Sequence, residues 1–360
     1  MNDQLIADPG ASSPPTPSVS SRDATNRSRL RATMRKLSPN NVSSLYLAAA
    51  LLIAFSMKTP DTFLTFRTLK STLAAQSVTS LVAIAVVIPM AAGAFDLTVG
   101  FTVGISATVA TNLMTNGHSP QLAIVVALLC GLLIGALNGL VVTQLRINSF
   151  IATLGTGSII QAIMLIIADK PVFGVDKGFQ RIGYESSFGV PWIFMTMIGV
   201  ATVAWYILEH TPSGRRLFAA GANADAARMA GLNVNLIIIR SMLASGFLAA
   251  GAGLLLAANI GGSSPDLPNS YLLPAFASAF LGATQLKQGR VNVWGTLMAV
   301  YALAIGTKGF SLIGVESWVQ NLFYGVSLIL AVGLSVRQGG PRSRSLLAVL
   351  RRQREQPASA

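Results

Sequence analysis

The sequence predicts an all-α membrane protein that crosses the bilayer about ten times. Of its 360 residues, 52% are hydrophobic and only 11% are charged, whereas an ordinary soluble domain carries about 25% charged residues. The charges are clustered, so that long apolar runs alternate with short basic or Gly/Pro-rich segments. A spanning helix needs roughly 20 mostly apolar residues, and about ten such runs are present. These runs lack the polar face that a water-exposed helix requires, which argues against a large soluble core.

Each apolar run is predicted to form one spanning helix. The predicted spans cover residues 42–57, 72–91, 97–114, 121–143, 150–168, 191–208, 237–258, 271–283, 291–307 and 317–336. The eighth span is short enough to be tilted, broken or partly re-entrant. Together the spans define a membrane domain of residues 41–336. A basic segment of residues 1–40, predicted to be disordered, precedes it, and a basic segment of residues 337–360 follows it.

The distribution of basic residues predicts the orientation of the chain. Ten spans place both termini on the same side of the membrane. With the termini in the cytoplasm, the inner segments hold 19 lysines and arginines and the outer segments hold seven. Because cytoplasmic loops carry an excess of Lys and Arg, both tails are predicted to be cytoplasmic. The net charge of +13 is then explained by topology.

The C-terminal tail can form a short amphipathic helix. Its apolar face would consist of Leu346, Leu347, Val349 and Leu350, opposite several arginines. Such a helix is expected to lie on the anionic inner leaflet, which makes membrane lipids a predicted partner. Binding of RNA by these arginines is the less favoured alternative, and no nucleic-acid partner is predicted.

Two patterns indicate a tightly packed bundle of the kind that transporters form. The segments "NGLVVTQLRINSFIATLG" (138–155) and "KGFSLIGVESWVQNLFYG" (308–325) share a Gly, a Ser-aromatic pair and a closing Gly. If this similarity is not chance, spans 4–5 and 9–10 form an internal repeat of inverted topology. Gly131, Gly135 and Gly139 form a stripe on span 4, and small residues let helices approach closely in lipid.

The chain lacks the residues that most membrane enzymes and ion-coupled carriers use. It contains no Walker A pattern, nucleophile elbow, HExxH motif or dinucleotide-binding glycine motif. With one cysteine and two separated histidines, no metal site is predicted. Ion-coupled carriers usually keep several ionisable groups inside the membrane, and Asp96 is the only acidic residue near a span interior. The driving energy is therefore expected to come from another chain.

Asp96 lies in "GAFDLTVG" (93–100), between two segments almost free of charge. A proton relay, a ligand for the solute and a helix cap are the three candidate roles. Capping is favoured, because an Asp at a helix start can accept hydrogen bonds from the amides of Thr98 or Val99. On this interpretation Asp96 is a structural cap within the membrane.

The inner loop of residues 209–236 is predicted to display a short helix in the cytoplasm. Asn223 is a good N-cap residue, Asp225 lies in the first turn, and Gly231 is placed to end the helix. The small residues Ala226, Ala227 and Ala230 suggest a face that docks in a groove of a partner. An ordinary connector is the alternative, but a connector need not be this long.

Several segments, taken together and in order, resemble the permease subunits of binding-protein-dependent ABC importers of the ribose/xylose type. They are "FDLTVG" (95–100), "LNGLVVTQLRINSFIATLGT" (137–156), "TPSGRRLFAAGANADAARMAGLNV" (211–234), "SGFLAAGAGLLLA" (245–257) and "QGRVNVWGT" (288–296). The resemblance covers most of residues 70–335. It implies the fold of a type II ABC importer, with residues 41–336 as the permease domain.

The resemblance also implies partners and contact residues. The loop would carry the helix that couples the permease to an ABC ATPase subunit, with the contact at Gly221, Asn223, Ala226, Ala227 and Gly231. ATP would bind to that ATPase, so this chain would need no cofactor and would not itself be an enzyme. A periplasmic solute-binding protein and a second permease, either a copy or a paralogue, would complete an importer in the bacterial inner membrane.

We therefore expect a subunit that imports a monosaccharide or a similar small polar solute. Candidate pathway residues are the polar positions Thr98, Ser106, Asn138 and Thr153, of which some would only bond to the backbone. The alternatives are a related permease for branched-chain amino acids or nucleosides, a stand-alone secondary carrier, and a multi-span membrane enzyme. The family usually has Ile where this chain has Phe95, which weakens any transfer of a particular solute.

Overall fold

The structure is a computed structural model that describes residues 43–286 and 289–338. The helices are α1 (Ser43–Lys58), α2 (Pro60–Phe63), α3 (Phe66–Ala91), α4 (Val99–Thr115), α5 (Pro120–Gln144), α6 (Ser149–Ile167), α7 (Lys177–Tyr184), α8 (Trp192–His210), α9 (Pro212–Ala222), α10 (Ala224–Met229), α11 (Val234–Ile260), α12 (Leu267–Ala283), α13 (Val293–Leu312) and α14 (Ser317–Gln338). The predicted N-terminal disorder and C-terminal amphipathic helix lie outside the described residues.

Ten of these helices coincide with the ten predicted spans. Six of them (α3, α5, α6, α8, α11 and α13) are long and apolar enough to cross a membrane. Shorter apolar stretches form α1, α4 and α14, and α12 has 17 residues with Pro274 inside it. The all-α multi-span fold is confirmed, with ten as an approximate number of crossings. The short helices α2, α7 and α9 were not predicted.

Four two-residue strands occur in the loops of the described chain. β1 (Val172–Phe173) pairs antiparallel with β4 (Gly262–Ser263), and β2 (Ser186–Ser187) pairs antiparallel with β3 (Val190–Pro191). The first pair ties the loop after α6 to the segment between α11 and α12. The strands therefore hold loops in place and form no layer of their own.

Polar caps explain where several of the spanning helices begin. The side chain of Ser119 accepts from the Leu122 amide at the start of α5, where Pro120 occupies the first helical position. The side chain of Asn292 accepts from the Gly295 amide at 2.7 Å at the start of α13. These side chains satisfy amides that have no partner within the helix, so the short loops between spans specify the helix starts.

The glycines of α5 bring its backbone against that of α11. A Cβ atom at Gly131 would collide with the Gly246 carbonyl oxygen, and one at Gly135 with the Met242 carbonyl oxygen. Glycine is required at these positions because the two backbones are in direct contact. α11 also packs on α3 and α4, so it lies at the centre of the bundle, as its many buried alanines and glycines indicate.

Helix lengths match closely in two pairs of helices that lie five predicted spans apart, and they differ by five and three residues in the two pairs of the predicted internal repeat. α3 and α11 have 26 and 27 residues, and α4 and α12 have 17 each. α5 and α13 have 25 and 20 residues, and α6 and α14 have 19 and 22. Partners in each pair are five predicted spans apart, so they cross the membrane in opposite directions. Opposite crossing directions are what an inverted-topology repeat requires, and the repeat stays a prediction.

Candidate functional site

Asp96 is buried at the junction between α3 and α4, with 1% of its surface exposed. Its Oδ1 accepts from the Thr98 amide at 3.0 Å and from the Thr98 hydroxyl. Its Oδ2 accepts from the Ser245 hydroxyl of α11 at 2.7 Å. The N-cap residue of α4 is Thr98, so Asp96 lies two residues before the cap and the predicted capping role is wrong in its position. The carboxylate instead joins the segment that leads into α4 to the middle of α11. The predicted amide contact is one of its three hydrogen bonds.

Two further helices are attached to the same junction. Asn138 of α5 donates to the Thr98 hydroxyl at 2.9 Å. On α6, the Thr153 hydroxyl accepts from the Leu97 amide at 3.1 Å, and the Ser149 hydroxyl accepts from the Phe95 amide at 3.0 Å. The turn of residues 95–98 is thus bonded to α5, α6 and α11. We refer to this set of contacts as the Asp96 junction.

The four candidate pathway residues are packed between helices. Thr98, Ser106, Asn138 and Thr153 are each at most 1% exposed. Ser106 lies within 3.4 Å of the Ala127 carbonyl oxygen of α5, and the other three belong to the Asp96 junction. None of them lines the clefts described below. Their contacts are those of bundle packing, and a pathway role for them stays an untested prediction.

The inner loop contains two consecutive helices, α9 and α10. At the start of α10 the Asn223 side chain accepts from the amides of Asp225 and Ala226, each at 3.1 Å. Gly231, which follows the helix, has φ +82°, a conformation that glycine adopts without strain. The predicted short helix is therefore present, with the expected residues at its two ends.

One residue of the expected docking face points into the protein. Ala227 is 5% exposed and packs with Ala220 and Val234, so it holds α10 against α9 and α11. Ala226 and Ala230 are exposed, and Met229 is 85% exposed. The sequence pattern could not distinguish the buried Ala227 from the exposed Ala226 and Ala230, because alanines suit a contact inside the protein as well as a contact with a partner. The outward surface of α10 consists instead of Asp225, Ala226, Arg228, Met229 and Ala230.

The inner loop also touches the turn that precedes Asp96. A Cβ atom at Gly221, near the end of α9, would lie 2.9 Å from the Gly93 nitrogen and 3.0 Å from the Ala92 carbonyl carbon. Gly93 has φ +79°, and Ala94 to Leu97 lead from it into the Asp96 junction. Direct backbone contact therefore connects the predicted coupling loop to the Asp96 junction.

A separate cleft of about 520 Å³ lies between α6, α12 and α14, and its walls are mainly aromatic and aliphatic. Its lining includes Phe95, Phe150, Asn269, Phe276 and Phe280. The rings of Phe95 and Phe280 are stacked with centroids 6.2 Å apart. Sequence reasoning treated Phe95 only as a departure from a motif, because the partners of its ring come from a distant helix.

Comparison with known proteins identifies the family to which this bundle belongs. Residues 68–332 match the family described as "Branched-chain amino acid transport system / permease component". The chain belongs to this family. It is therefore a multi-pass membrane permease component of a transport system, in agreement with the resemblance noted in its sequence. No solved structure matches the chain.

Three relatives illustrate the range of permeases that this chain resembles. The ribose import permease of Bacillus subtilis (strain 168) is 30% identical over 259 residues, which cover 71% of this chain and 80% of that protein. The ribose import permease of Escherichia coli (strain K12) is 31% identical, with coverage of 79% and 91%. The galactose/methyl galactoside import permease of the same strain is also 31% identical, with coverage of 81% and 92%.

Within this permease, the residues that the sequence singled out, apart from Ser106, fall into two connected groups. Asp96, Thr98, Asn138 and Thr153 meet at the Asp96 junction, which explains why these polar side chains occur in apolar helices. The five proposed coupling residues lie in or beside α9 and α10. The sequence did not reveal Ser245 or Ser149, since a serine in a membrane helix usually bonds to its own backbone.

Proposed function

We propose that this permease is the membrane-spanning subunit of an ABC importer for a monosaccharide or a similar small polyhydroxylated solute. The relatives described above are named as import permeases for ribose or for galactose and methyl galactoside, which supports a sugar as the solute. No group of three or more His, Cys, Asp or Glu residues clusters in the described part of the chain. Energy coupling by ATP hydrolysis on a separate subunit fits a bundle of this composition.

The observation that carries the coupling proposal is the exposed surface of α10. Met229 is 85% exposed, and beside it Arg228 and Asp225 form an exposed ion pair of 2.9 Å. Ala227 fixes the opposite side of α10 to the bundle. Met229 is thus an exposed apolar side chain with polar neighbours, on a helix whose other side packs against the bundle. Such a surface is suited to a groove on a partner protein. We assign this surface to the ATPase subunit.

Movement at α10 would reach the bundle through the contact between Gly221 and Gly93. A shift of α9 by a fraction of an ångström displaces the turn of residues 91–93, because there is no side chain between the two backbones. The Asp96 junction then passes the displacement to α5, α6 and α11 at once. Closure of the two ATPase domains is in this way converted into rearrangement of the spanning helices.

The solute pathway is proposed to form at the cleft between α6, α12 and α14, where a second permease would complete it. A Cβ atom at Gly155 of α6 or at Gly325 of α14 would meet nothing within 4 Å, so both helices leave room for another helix to approach. The Phe95 and Phe280 rings offer flat apolar faces to the C–H groups of a sugar. A solute-binding protein would deliver the sugar from the side opposite α10.

The first test concerns the ATPase contact. We expect Met229→Glu to abolish co-purification of the ATPase subunit, because it replaces the one large apolar side chain of the proposed docking surface by a charged one. The permease itself should still insert and purify, since this side chain contacts solvent. Tyr184→Glu, at 59% exposure on α7 near the opposite end of the bundle, is the matched control and should leave co-purification unchanged. Normal co-purification of the Met229 variant would refute the assignment of α10.

A second test distinguishes the proposed pathway from the polar positions chosen from sequence. Cys130 is the single cysteine, so Cys130→Ser gives a background for cysteine labelling. We expect Phe280→Cys to react with a small water-soluble thiol reagent in the assembled importer, and to react more slowly with the sugar present. Ser106→Cys should stay unreactive, because this position is fully buried. The reverse pattern would place the pathway at Ser106.

Two other functions remain to be separated from sugar import. The family description names branched-chain amino acids, so competition by leucine but not by ribose or galactose in an uptake assay would favour that substrate class. A stand-alone secondary carrier would transport in liposomes without the ATPase subunit. Uptake under those conditions would overturn the importer proposal, whatever the solute.

A further inference from the structure

A long apolar cleft runs between α8 and α11 on the side of the bundle away from α14. Its wider part, with a volume of about 700 Å³, lies between residues 196–208 of α8 and residues 240–248 of α11. A narrower part of about 280 Å³ continues it toward α7, ending near Phe179 and Ala258. The two parts share Thr196, Val200, Phe247 and Leu248 as lining residues. Ile88 and Leu81 of α3 also contribute to the lining of the cleft.

Two glycines leave the cleft unfilled. Gly199 lines the wider part from α8, and Gly251 lines the narrower part from α11. A Cβ atom at either residue would meet nothing within 4 Å, so these glycines are not needed for close helix packing. They differ in this respect from Gly131 and Gly135, where backbone atoms of α11 occupy the space that a side chain would need. The space at Gly199 and Gly251 is therefore open to something outside the described chain.

The wide end of the cleft carries positive charge. Arg240 lines it, is exposed and forms no ion pair with any residue in the described part of the chain. Ser213 of α9 lines the same end, and the exposed Arg215 and Arg216 follow it in sequence. Glu209 is the one acidic residue between Trp192 and Asn223. An anionic group is thus favoured where the cleft opens at α9.

We propose that this cleft binds an anionic phospholipid, with acyl chains against α8 and α11 and the phosphate at Arg240. Along the wider part of the cleft, from Arg240 to Leu248, α11 rises about 12 Å, which approximates one leaflet of a hydrocarbon core roughly 30 Å thick. The cytoplasmic leaflet is rich in anionic lipids, and each nearby arginine contributes about 1 kcal/mol to their binding.

The lipid would touch the inner loop as well as the spanning helices. Ser213, Gly214 and Leu217 of α9 line the wide end, so an occupant of the cleft lies between α9 and the two long helices. Filling this space restricts movement of α9 relative to α8. The lipid is therefore an intrinsic part of the structure that supports α9, independently of which solute the permease carries.

The test uses the full-length permease, purified with its partner subunits and reconstituted in nanodiscs of equimolar phosphatidylcholine and phosphatidylglycerol. After transfer to a mild detergent, native mass spectrometry counts the lipids that each permease chain retains. We expect wild type to retain phosphatidylglycerol in preference to phosphatidylcholine. Arg240→Gln should reduce that preference roughly fivefold, the factor that corresponds to about 1 kcal/mol. The double variant Gly199→Leu/Gly251→Leu should retain less phosphatidylglycerol than wild type, because each leucine side chain occupies part of the open space in the cleft.

Matched controls separate the cleft from the general lipid-facing surface. Arg146→Gln removes an exposed arginine outside the cleft, and Leu133→Phe adds bulk to a residue of α5 that is 60% exposed. Both should retain phosphatidylglycerol as wild type does. Equal retention of the two lipids by wild type, or unchanged retention in the double glycine variant, would overturn the proposal. So would a co-purifying membrane protein that only the double glycine variant loses.

Discussion

Replacing Asp96 by leucine is expected to prevent the permease from folding stably. The change leaves the Thr98 amide, the Thr98 hydroxyl and the Ser245 hydroxyl without their acceptor in a buried site. Each unsatisfied buried donor costs about 1–3 kcal/mol, so the total is roughly 3 kcal/mol or more, a large part of the 5–15 kcal/mol by which a protein is normally stable. The yield of monodisperse protein and its thermal unfolding midpoint in detergent measure this loss.

Asp96→Asn is the control that isolates the charge. The asparagine oxygen can accept from Thr98, and its NH₂ group can donate to the Ser245 hydroxyl, which accepts as readily as it donates. We expect this variant to unfold close to the wild-type temperature and to transport. Equal loss of folding in the asparagine and leucine variants would show that the negative charge itself is needed. Normal folding of the leucine variant would show that the Asp96 junction does not stabilise the bundle.

Gly221→Val is expected to separate ATP hydrolysis from transport. Its side chain would displace the turn of residues 91–93, because a Cβ atom already approaches the Gly93 nitrogen to 2.9 Å. Overpacking of this kind costs about 1–3 kcal/mol, and where this cost falls on one conformation of the bundle, 1.4 kcal/mol lowers the population of that conformation about tenfold. We therefore expect solute uptake to fall about tenfold while the ATPase subunit still binds α10. Uptake by the reconstituted importer and its rate of ATP hydrolysis are measured together.

The matched control for this prediction lies two residues away on the same helix. Ala219 is exposed, so Ala219→Val adds comparable bulk to α9 without contact with the turn at Gly93. Uptake by this variant should equal that of wild type. If Gly221→Val also transports normally, the contact between the inner loop and the Asp96 junction plays no part in coupling. If it loses the ATPase subunit, the defect lies in docking and the proposed route of transmission is wrong.

Hydrophobic patterning was sufficient to predict the helices because the bilayer imposes a simple rule on them. An apolar run of sufficient length must form a helix that satisfies its own backbone, and all ten predicted spans coincide with helices. Capping residues predicted the limits of α10 for a similar reason, since Asn223 and Gly231 act on adjacent backbone. The spans and the ends of α10 depend on residues that are adjacent in the chain, so the sequence alone was sufficient to predict them.

The arrangement of polar side chains could not be predicted in the same way. Ser245 reaches Asp96 across 149 positions of sequence, and nothing in the serine itself distinguishes it from other serines in apolar helices. The inward orientation of Ala227 depends on Ala220 and Val234, which lie on two different helices. Contacts of this kind follow from how the helices are packed, so they require the structure.

The contact between α5 and α11 has a consequence for how the permease can move. Three glycines, Gly131, Gly135 and Gly139, place the two backbones against each other along three successive turns of α5. Sliding or rotating one of these helices would drive side chains into main-chain atoms at all three levels. The pair must therefore travel as one rigid body, and any alternation between inward- and outward-open forms must take place by hinging around it.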